Sequence, residues 1–410
     1  MTFSFTPKAS PRPIGRRLFA LALTGLLATP LFGLATESAQ AKDLTKASLR
    51  LKWLPQAQFA GFYYAHAKGY YKDEGIDLTI NPGGPNLVAE NLVATNADTF
   101  GISGGSDSLL AAVDKGLPLV SIGVSHQITP FAFVARKDGP IKTLQDFKGK
   151  KVMVWFTGGH YVLFGMLANE GIERSEMTIQ PQQASVTPFV NGDVDVIAGM
   201  WFNELYSIRK KVGEDALTYF QSEDYGVTFP RDTLIVTKET AANKPELVKA
   251  FLRASIRGWR DAAANPEEAI DMVLKIAPTL DRDHQTFMLK ESYRLITAGK
   301  AATEGLFVVD KEALQSAHDF LLANKVLNKP VPLDTAFDGS FLESIPLEAV
   351  VRNRGAMAGG SDYYRDGSVV GACRSPWRHQ ALLPAQAERH RRRRGAGTER
   401  LYRRRVANHH

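Results

Sequence analysis

Residues 49 to 80 spell out a complete strand, helix and second strand. Leu49-Arg50-Leu51-Lys52-Trp53 alternates apolar and polar side chains, the period of a half-buried strand. Pro55 turns the chain, Phe59–Lys72 is an aromatic-rich helical run, and Gly75 releases it into Ile76-Asp77-Leu78-Thr79-Ile80. In an open α/β sheet, ligands bind in the crevice beyond the carboxyl ends of the strands. Trp53, Gln56 and Gln58 fall at that edge. A flat aromatic beside amides suits a flat small molecule with a polar rim.

The alternation continues along the chain. Further strands are expected at Thr99–Ile102, Leu119–Val124, Lys151–Trp155, Thr178–Gln180, Asp195–Ala198 and Thr233–Val236. Helical patterns between them cover Asn86–Ala94, Ser108–Lys115, Tyr161–Asn169 and Val186–Asn191. Strands alternating with helices imply an α/β protein with mainly parallel sheets. After Thr237 four consecutive helices are expected: Lys244–Ala264, Pro266–Ile276, Asp281–Thr297 and Asp310–Asn324. Two segments echo each other. Asp98-Thr99-Phe100-Gly101-Ile102 and Asp193-Val194-Asp195-Val196-Ile197-Ala198 both lead from an acidic turn through a short apolar strand, which suggests two similar lobes.

The two ends differ from the body. Lys8, Arg12, Arg16 and Arg17 precede an uncharged run from Leu18 to Leu34, and Ala39-Gln40-Ala41 follows. That order is the grammar of a cleavable export signal over residues 1–41, with Arg16-Arg17 open to a twin-arginine reading. Residues 346–410 read as a disordered Arg-rich tail, with Arg391–Arg394 and Arg403–Arg405 as blocks of one charge. The absence of Lys after Lys329 suggests a changed reading frame there. The leader carries +3 and residues 351–410 carry +10, so a total of +7 leaves −6 for residues 42–350. An acidic body removes the charge argument for a nucleic-acid partner. The single cysteine, Cys373, lies in the tail, so the body has no disulfide, thiol nucleophile or Cys-based metal site.

Ser103-Gly104-Gly105-Ser106-Asp107 follows a strand and opens a helix. Glycines let a ligand approach the backbone there, and the helix N-terminus offers N–H groups. Ser106 and Asp107 serve equally well as helix caps. Trp155-Phe156-Thr157-Gly158-Gly159-His160 has the same strand-to-helix position in the second half, so Trp155 can face Trp53 across a cleft or belong to a core. Asn203 and Glu204 follow another strand, and Glu204 supplies a carboxylate for an amino-substituted ring or a charge in a first helical turn. Tyr225 and Asp232 lie where the chain would return to the first lobe. His66, His126 and His160 are isolated, and neither H-E-x-x-H nor G-x-S-x-G occurs. The pattern is one of binding residues without an activated nucleophile.

Trp53-Leu54-Pro55, Lys68-Gly69-Tyr70-Tyr71-Lys72-Asp73-Glu74-Gly75-Ile76-Asp77 and Leu144-Gln145-Asp146-Phe147-Lys148-Gly149-Lys150-Lys151-Val152 resemble the NMT1/THI5-like solute-binding proteins. Asn191-Gly192-Asp193-Val194-Asp195 and Trp201-Phe202-Asn203-Glu204 add to the resemblance. It implies a type II periplasmic binding fold, with lobe I from 42–133 and 234–345, lobe II from 134–233, and crossings near Phe131–Arg136 and Arg231–Thr237. It also implies a monomeric periplasmic receptor that hands a small heteroaromatic nutrient to an ABC permease. The nutrient would be a thiamine pyrimidine precursor or, alternatively, riboflavin. The ligand set expected on this reading is Trp53, Gln58, Ser103, Ser106, Asp107, Trp155, Asn203, Glu204 and Tyr225, with no cofactor and no metal. The same family includes a pyrimidine synthase. Its pyridoxal-phosphate lysine falls near Ser103 here and its sacrificial histidine near Asp107, and its cysteine-rich motif has no counterpart in residues 42–350. An enzyme is therefore not expected.

Overall fold

The computed structural model describes residues 43–345 except 85, 86, 157 and 184. The expected leader and Arg-rich tail lie outside the described residues. Ten strands run in chain order: β1 Thr45–Arg50, β2 Ile76–Asn81, β3 Phe100–Ile102, β4 Leu119–His126, β5 Phe131–Arg136, β6 Lys151–Val154, β7 Thr178–Pro181, β8 Val196–Met200, β9 Leu217–Gln221 and β10 Arg231–Thr237. They form two five-stranded sheets, β2-β1-β3-β10-β4 and β7-β6-β8-β5-β9.

The two sheets share one plan. In each, three strands run parallel and an antiparallel fourth lies beside the third: β10 pairs antiparallel with β3, and β5 with β8. β3 and β8, the two echoed segments, hold the same central position. The chain leaves the first sheet between His126 and Phe131 and returns between Gln221 and Arg231. Boundaries at 133 and 233 would cut β5 and β10. The segments expected as crossings are buried strands, and the changeover occurs just before each. β5 reads in sequence as Phe-Ala-Phe-Val-Ala-Arg, an apolar run without alternation, because it lies in the sheet interior with both faces covered. Period-2 reading finds no signal in such a strand. β9 was not expected as a strand either.

Helices pack where apolar faces require. The aromatic run expected as one helix over Phe59–Lys72 breaks into Ala60–Ala67 and Tyr70–Asp73. Pro245–Ala264 carries a stripe that includes Phe251, Leu252, Ile256 and Trp259, all buried against the first sheet's cluster. Phe251 stacks on Phe100 of β3 with ring centroids 3.9 Å apart, and the Tyr71 and Ser255 hydroxyls lie 3.0 Å apart. The Ala60–Ala67 and Pro245–Ala264 helices meet at Gly61 and Gly258. A Cβ at Gly258 would overlap the Gly61 carbonyl oxygen, and one at Gly61 would overlap the fully buried Trp259 ring. The close approach depends on hydrogen at both positions.

Gly258→Ala should therefore lower stability by about 1–3 kcal/mol through overpacking. That outweighs the roughly 1 kcal/mol of helix propensity that alanine adds. Urea unfolding of purified wild type and variant measures the difference as a lower midpoint.

Candidate functional site

The carboxyl ends of β1, β3, β6 and β8 and the starts of β5 and β10 open on a common seam between the two sheets. Ladder register sets this arrangement. Arg231 at the start of β10 pairs with His126 at the end of β4, and Phe131 at the start of β5 pairs with Met200 at the end of β8. Charges and aromatics that are far apart in sequence thus gather at one place.

Two ion pairs anchor the first-lobe wall. Arg231 Nη1 donates to Asp107 Oδ1 at 2.8 Å, and both side chains are almost completely buried, at 2% and 1% exposure. The Arg231 guanidinium lies 5.3 Å from the centroid of the Phe131 ring on β5. The second pair joins Lys52, at the exit of β1, to Asp232. Gln58 Nε2 donates to the other Asp232 oxygen at 2.6 Å, and Gln56 Nε2 donates to Gln58 Oε1 at 2.8 Å. Asp232 has φ +55°, a backbone region that a non-glycine residue occupies only when its surroundings hold it there. Burial lowers the Lys52 pKa from its ordinary value, against the pull of Asp232. Burial works against the Asp232 carboxylate too, but its charged neighbours and the bonds from Lys52 and Gln58 hold its pKa below the usual range. Buried charges at a seam are tolerable only when paired in this way.

The aromatics meet across the seam. Trp53 and Trp155, both half-buried, contact edge to face with ring centroids 6.5 Å apart. At that separation the two indoles touch each other, and a ring enters between them only when they part. The Trp155 Nε1 donor is buried without a hydrogen-bond partner among the described residues, as are Ser106 Oγ and Asp107 Oδ2. The second lobe also reaches over at the β8 exit: Phe202 joins the first lobe's core and lies 5.4 Å from the His126 ring. Tyr206, in the Glu204–Val212 helix, stacks on His284 of the Arg282–Ile296 helix with centroids 4.6 Å apart.

The remaining expected residues are spent elsewhere. Ser103 is fully buried and donates its hydroxyl to Glu90 Oε1 at 2.6 Å, bracing its own loop. Gln58 supports Asp232, as described. Glu204 accepts from the Met200 amide at 2.9 Å and from Asn203 Nδ2 at 3.0 Å, and burial raises its pKa. Asn203 and Glu204 line a pocket of ≈ 290 Å³ with Ser185, Val186, Ser207 and Lys211. That pocket belongs to the second lobe alone and includes neither indole. Tyr225 is not brought to the seam. Its carbonyl accepts from Asn169 Nδ2 at 2.8 Å, at the far end of the Gly159–Asn169 helix, roughly 15 Å of helical rise from Gly159. Sequence reading thus brought Trp53, Ser106, Asp107 and Trp155 together but missed Lys52, Arg231 and His126. The signal for the last two was present: Arg231-Asp232 puts two charges at the head of the Leu234-Ile235-Val236 run, and His126 ends the largely apolar β4.

His126 is fully buried, and burial pushes its pKa down to about 4. Its unfolded form titrates near 6.5, so between the two values the unfolded chain binds the extra proton and stability falls as pH falls. The loss from pH 7 to 4.5 should be about 2 kcal/mol. Glu204 and Glu223, both raised by burial, act in the opposite direction. The readout is therefore a difference. His126→Gln should show a shallower decline in urea midpoint across this window than the wild type.

Comparison with known proteins finds both sequence relatives and structural neighbours. The family model described as NMT1/THI5 like matches residues 56–269. A riboflavin-binding protein, RibY of Chloroflexus aurantiacus, is 29% identical over 307 residues, covering 73% of this chain and 86% of its own length. A formylaminopyrimidine-binding protein of Halalkalibacterium halodurans is 26% identical over 339 residues, covering 77% and 97%. A 4-amino-5-hydroxymethyl-2-methylpyrimidine phosphate synthase of Legionella pneumophila is 28% identical over 240 residues, covering 58% and 75%. Among solved structures, the periplasmic aliphatic sulphonate binding protein SsuA from Escherichia coli superposes with a TM-score of 0.55 at 16% identity, covering 71% of this chain and 91% of its own. A sulfonate-binding SsuA from Methylobacillus flagellatus superposes at 0.57 and 14% identity, covering 78% and 96%. At such identities these structures establish the two-lobed α/β fold.

Proposed function

Because this chain belongs to the NMT1/THI5-like family, matched over half its length, we propose that it is an extracytoplasmic solute-binding receptor of an ABC importer. It takes a small heteroaromatic nutrient into the seam between its lobes. A thiamine-type pyrimidine precursor is the first choice and riboflavin the second. The observation that carries this reading is the convergence at one seam of two indoles in edge-to-face contact and three buried polar atoms without hydrogen-bond partners among the described residues, Trp155 Nε1, Ser106 Oγ and Asp107 Oδ2. Indole faces supply stacking, worth ~0.5–1.5 kcal/mol per aromatic pair beyond burial. Buried polar groups without partners favour a ligand that satisfies them. Relatives described as riboflavin-binding and formylaminopyrimidine-binding support the same class.

Closure follows from the same geometry. A ligand that contacts both walls gains interactions only when the lobes meet, so it shifts the population toward the closed form. The closed form would then be the one that docks on the permease. Residues 1–41 would direct export and be removed, which agrees with the extracytoplasmic role of such receptors.

The synthase relatives motivate a second reading, which the residues do not fit. Ser103 occupies the position where the resemblance puts the cofactor lysine, and its hydroxyl is bound to Glu90. Lys52, the buried lysine of the first-lobe wall, is committed to Asp232. Mixing the protein with pyridoxal phosphate should leave the cofactor's visible spectrum unchanged; an imine band would revive the enzyme.

For the receptor reading, native mass spectrometry of freshly purified protein identifies any retained small molecule. Titration calorimetry with an aminopyrimidine and with riboflavin then ranks the two choices. Trp53→Ala and Trp155→Ala should each weaken the better ligand at least about tenfold, since both remove an aromatic wall. Unchanged affinity in both variants would move the site away from the seam.

A further inference from the structure

The first-lobe wall contains two buried cations, and each already holds a carboxylate: Lys52 with Asp232, and Arg231 with Asp107. His126, beside them, is kept neutral by burial near neutral pH. Among the charged groups of the wall, Asp107 leaves an acceptor open. Asp107 is 1% exposed; Oδ1 receives Arg231, and Oδ2 has no hydrogen-bond partner among the described residues. The neighbouring Ser106 Oγ is in the same condition.

Asp107 Oδ2 is aimed at the opposite lobe. A Cβ built on Gly158, at the start of the Gly159–Asn169 helix, would lie 2.6 Å from Asp107 Oδ2 and 2.6 Å from Arg231 Nη2. Gly158 has φ +118°, so glycine is demanded there both by the backbone and by the carboxylate and guanidinium pressed against it. The carboxylate oxygen thus sits in the seam itself, against Gly158, three residues after Trp155.

We propose that Asp107 sets the charge class of the ligand. Its free oxygen accepts an N–H from the ring's polar edge, and the neutralised wall refuses an anionic head group. Resting on the receptor reading above, this names the bound species as a neutral or cationic heteroaromatic with an N–H donor at its inner edge. The same fold in the SsuA structures belongs to sulfonate-binding proteins. A sulfonate, carboxylate or phosphate brought against Asp107 Oδ2 would meet an acceptor-only oxygen of like charge, with the neutral donors Ser106 Oγ and Trp155 Nε1 alone to offset it. Arg231 is a positioning residue in this scheme: it fixes the carboxylate through Oδ1 and leaves Oδ2 for the ligand. An aminopyrimidine presents an exocyclic N–H and the isoalloxazine ring presents its imide N–H, so both candidate nutrients meet the requirement.

The test uses the full chain, two matched pairs of probes and one anion. The pairs are riboflavin with its N3-methyl derivative, and 4-amino-2-methylpyrimidine with its 4-dimethylamino derivative. The anion is hexanesulfonate. Wild type should prefer the N–H member of the bound pair by about tenfold or more, the scale of a charge-assisted hydrogen bond, and should not bind the sulfonate. Asp107→Asn keeps the shape but leaves Arg231 facing a neutral amide. The preference should then shrink to within about threefold as charge assistance is lost, and measurable sulfonate binding should appear. That gain cannot arise from a misfolded chain. Should the single variant fold poorly, Asp107→Asn combined with Arg231→Gln removes both charges. The double variant should refuse the sulfonate and show the same reduced preference. Sulfonate binding by wild type, continued refusal by a folded Asp107→Asn, or undiminished preference for the N–H member in either variant would overturn the proposal. The receptor reading fails differently, when no heteroaromatic binds wild type. In that event the sulfonate arm still decides the charge rule.

Discussion

Arg231 and Asp232 bring opposite charges side by side into the start of β10, where both side chains are buried. An unpaired buried ion costs several kcal/mol, so each must find its counter-charge before the strand can settle. Asp107 at the head of one helix answers Arg231, and Lys52 at the exit of β1 answers Asp232. These four residues come from the exit of β1, the first turn of the Ser106–Asp114 helix and the start of β10, so satisfying them fixes the edge of the first sheet. Gln56 and Gln58 extend the same network into the turn that carries Trp53. The aromatic wall is consequently as firmly set as the ion pairs behind it.

The seam inherits its character from this pairing. The strands that change sheets, β5 and β10, begin beside it, and Arg231 reaches from β10 over the Phe131 ring of β5. Movement between lobes must pass through the short segments before those strands. Meanwhile Phe202 lodges in the first lobe's core and Tyr206 stacks on His284, so apolar surface as well as polar edges is buried where the lobes meet. Trp155 Nε1, Ser106 Oγ and Asp107 Oδ2 are buried at the seam without hydrogen-bond partners among the described residues, while the Arg231–Asp107 and Lys52–Asp232 ion pairs brace the wall.

Legibility varied from residue to residue for identifiable reasons. Trp53 and Trp155 were visible because each follows an apolar strand and precedes a helix, a place in open α/β sheets where side chains face the crevice. Asp107 was visible as a helix-opening carboxylate, although its partner was not. Glu204 had the same local signature, yet its carboxylate turns back to the Met200 amide and the adjacent Asn203. Local pattern cannot distinguish a carboxylate that caps its own turn from one offered to a ligand. Tyr225 was expected at the rim because it precedes the return crossing, but three-dimensional packing carries it to the opposite end of the Gly159–Asn169 helix.

Sequence by itself determined the alternation of strands and helices apart from β5 and β9, the equivalence of β3 and β8, and the family. Those follow from periodicity and local motifs, which are properties of consecutive residues. Only the tertiary structure decided that β5 and β10 exchange places beside β8 and β3, and that Arg231, Asp107, Lys52 and Asp232 meet. Pairing across more than a hundred residues leaves no periodic trace in the chain. It is fixed by sheet register and by the penalty on any charge that arrives at the core alone.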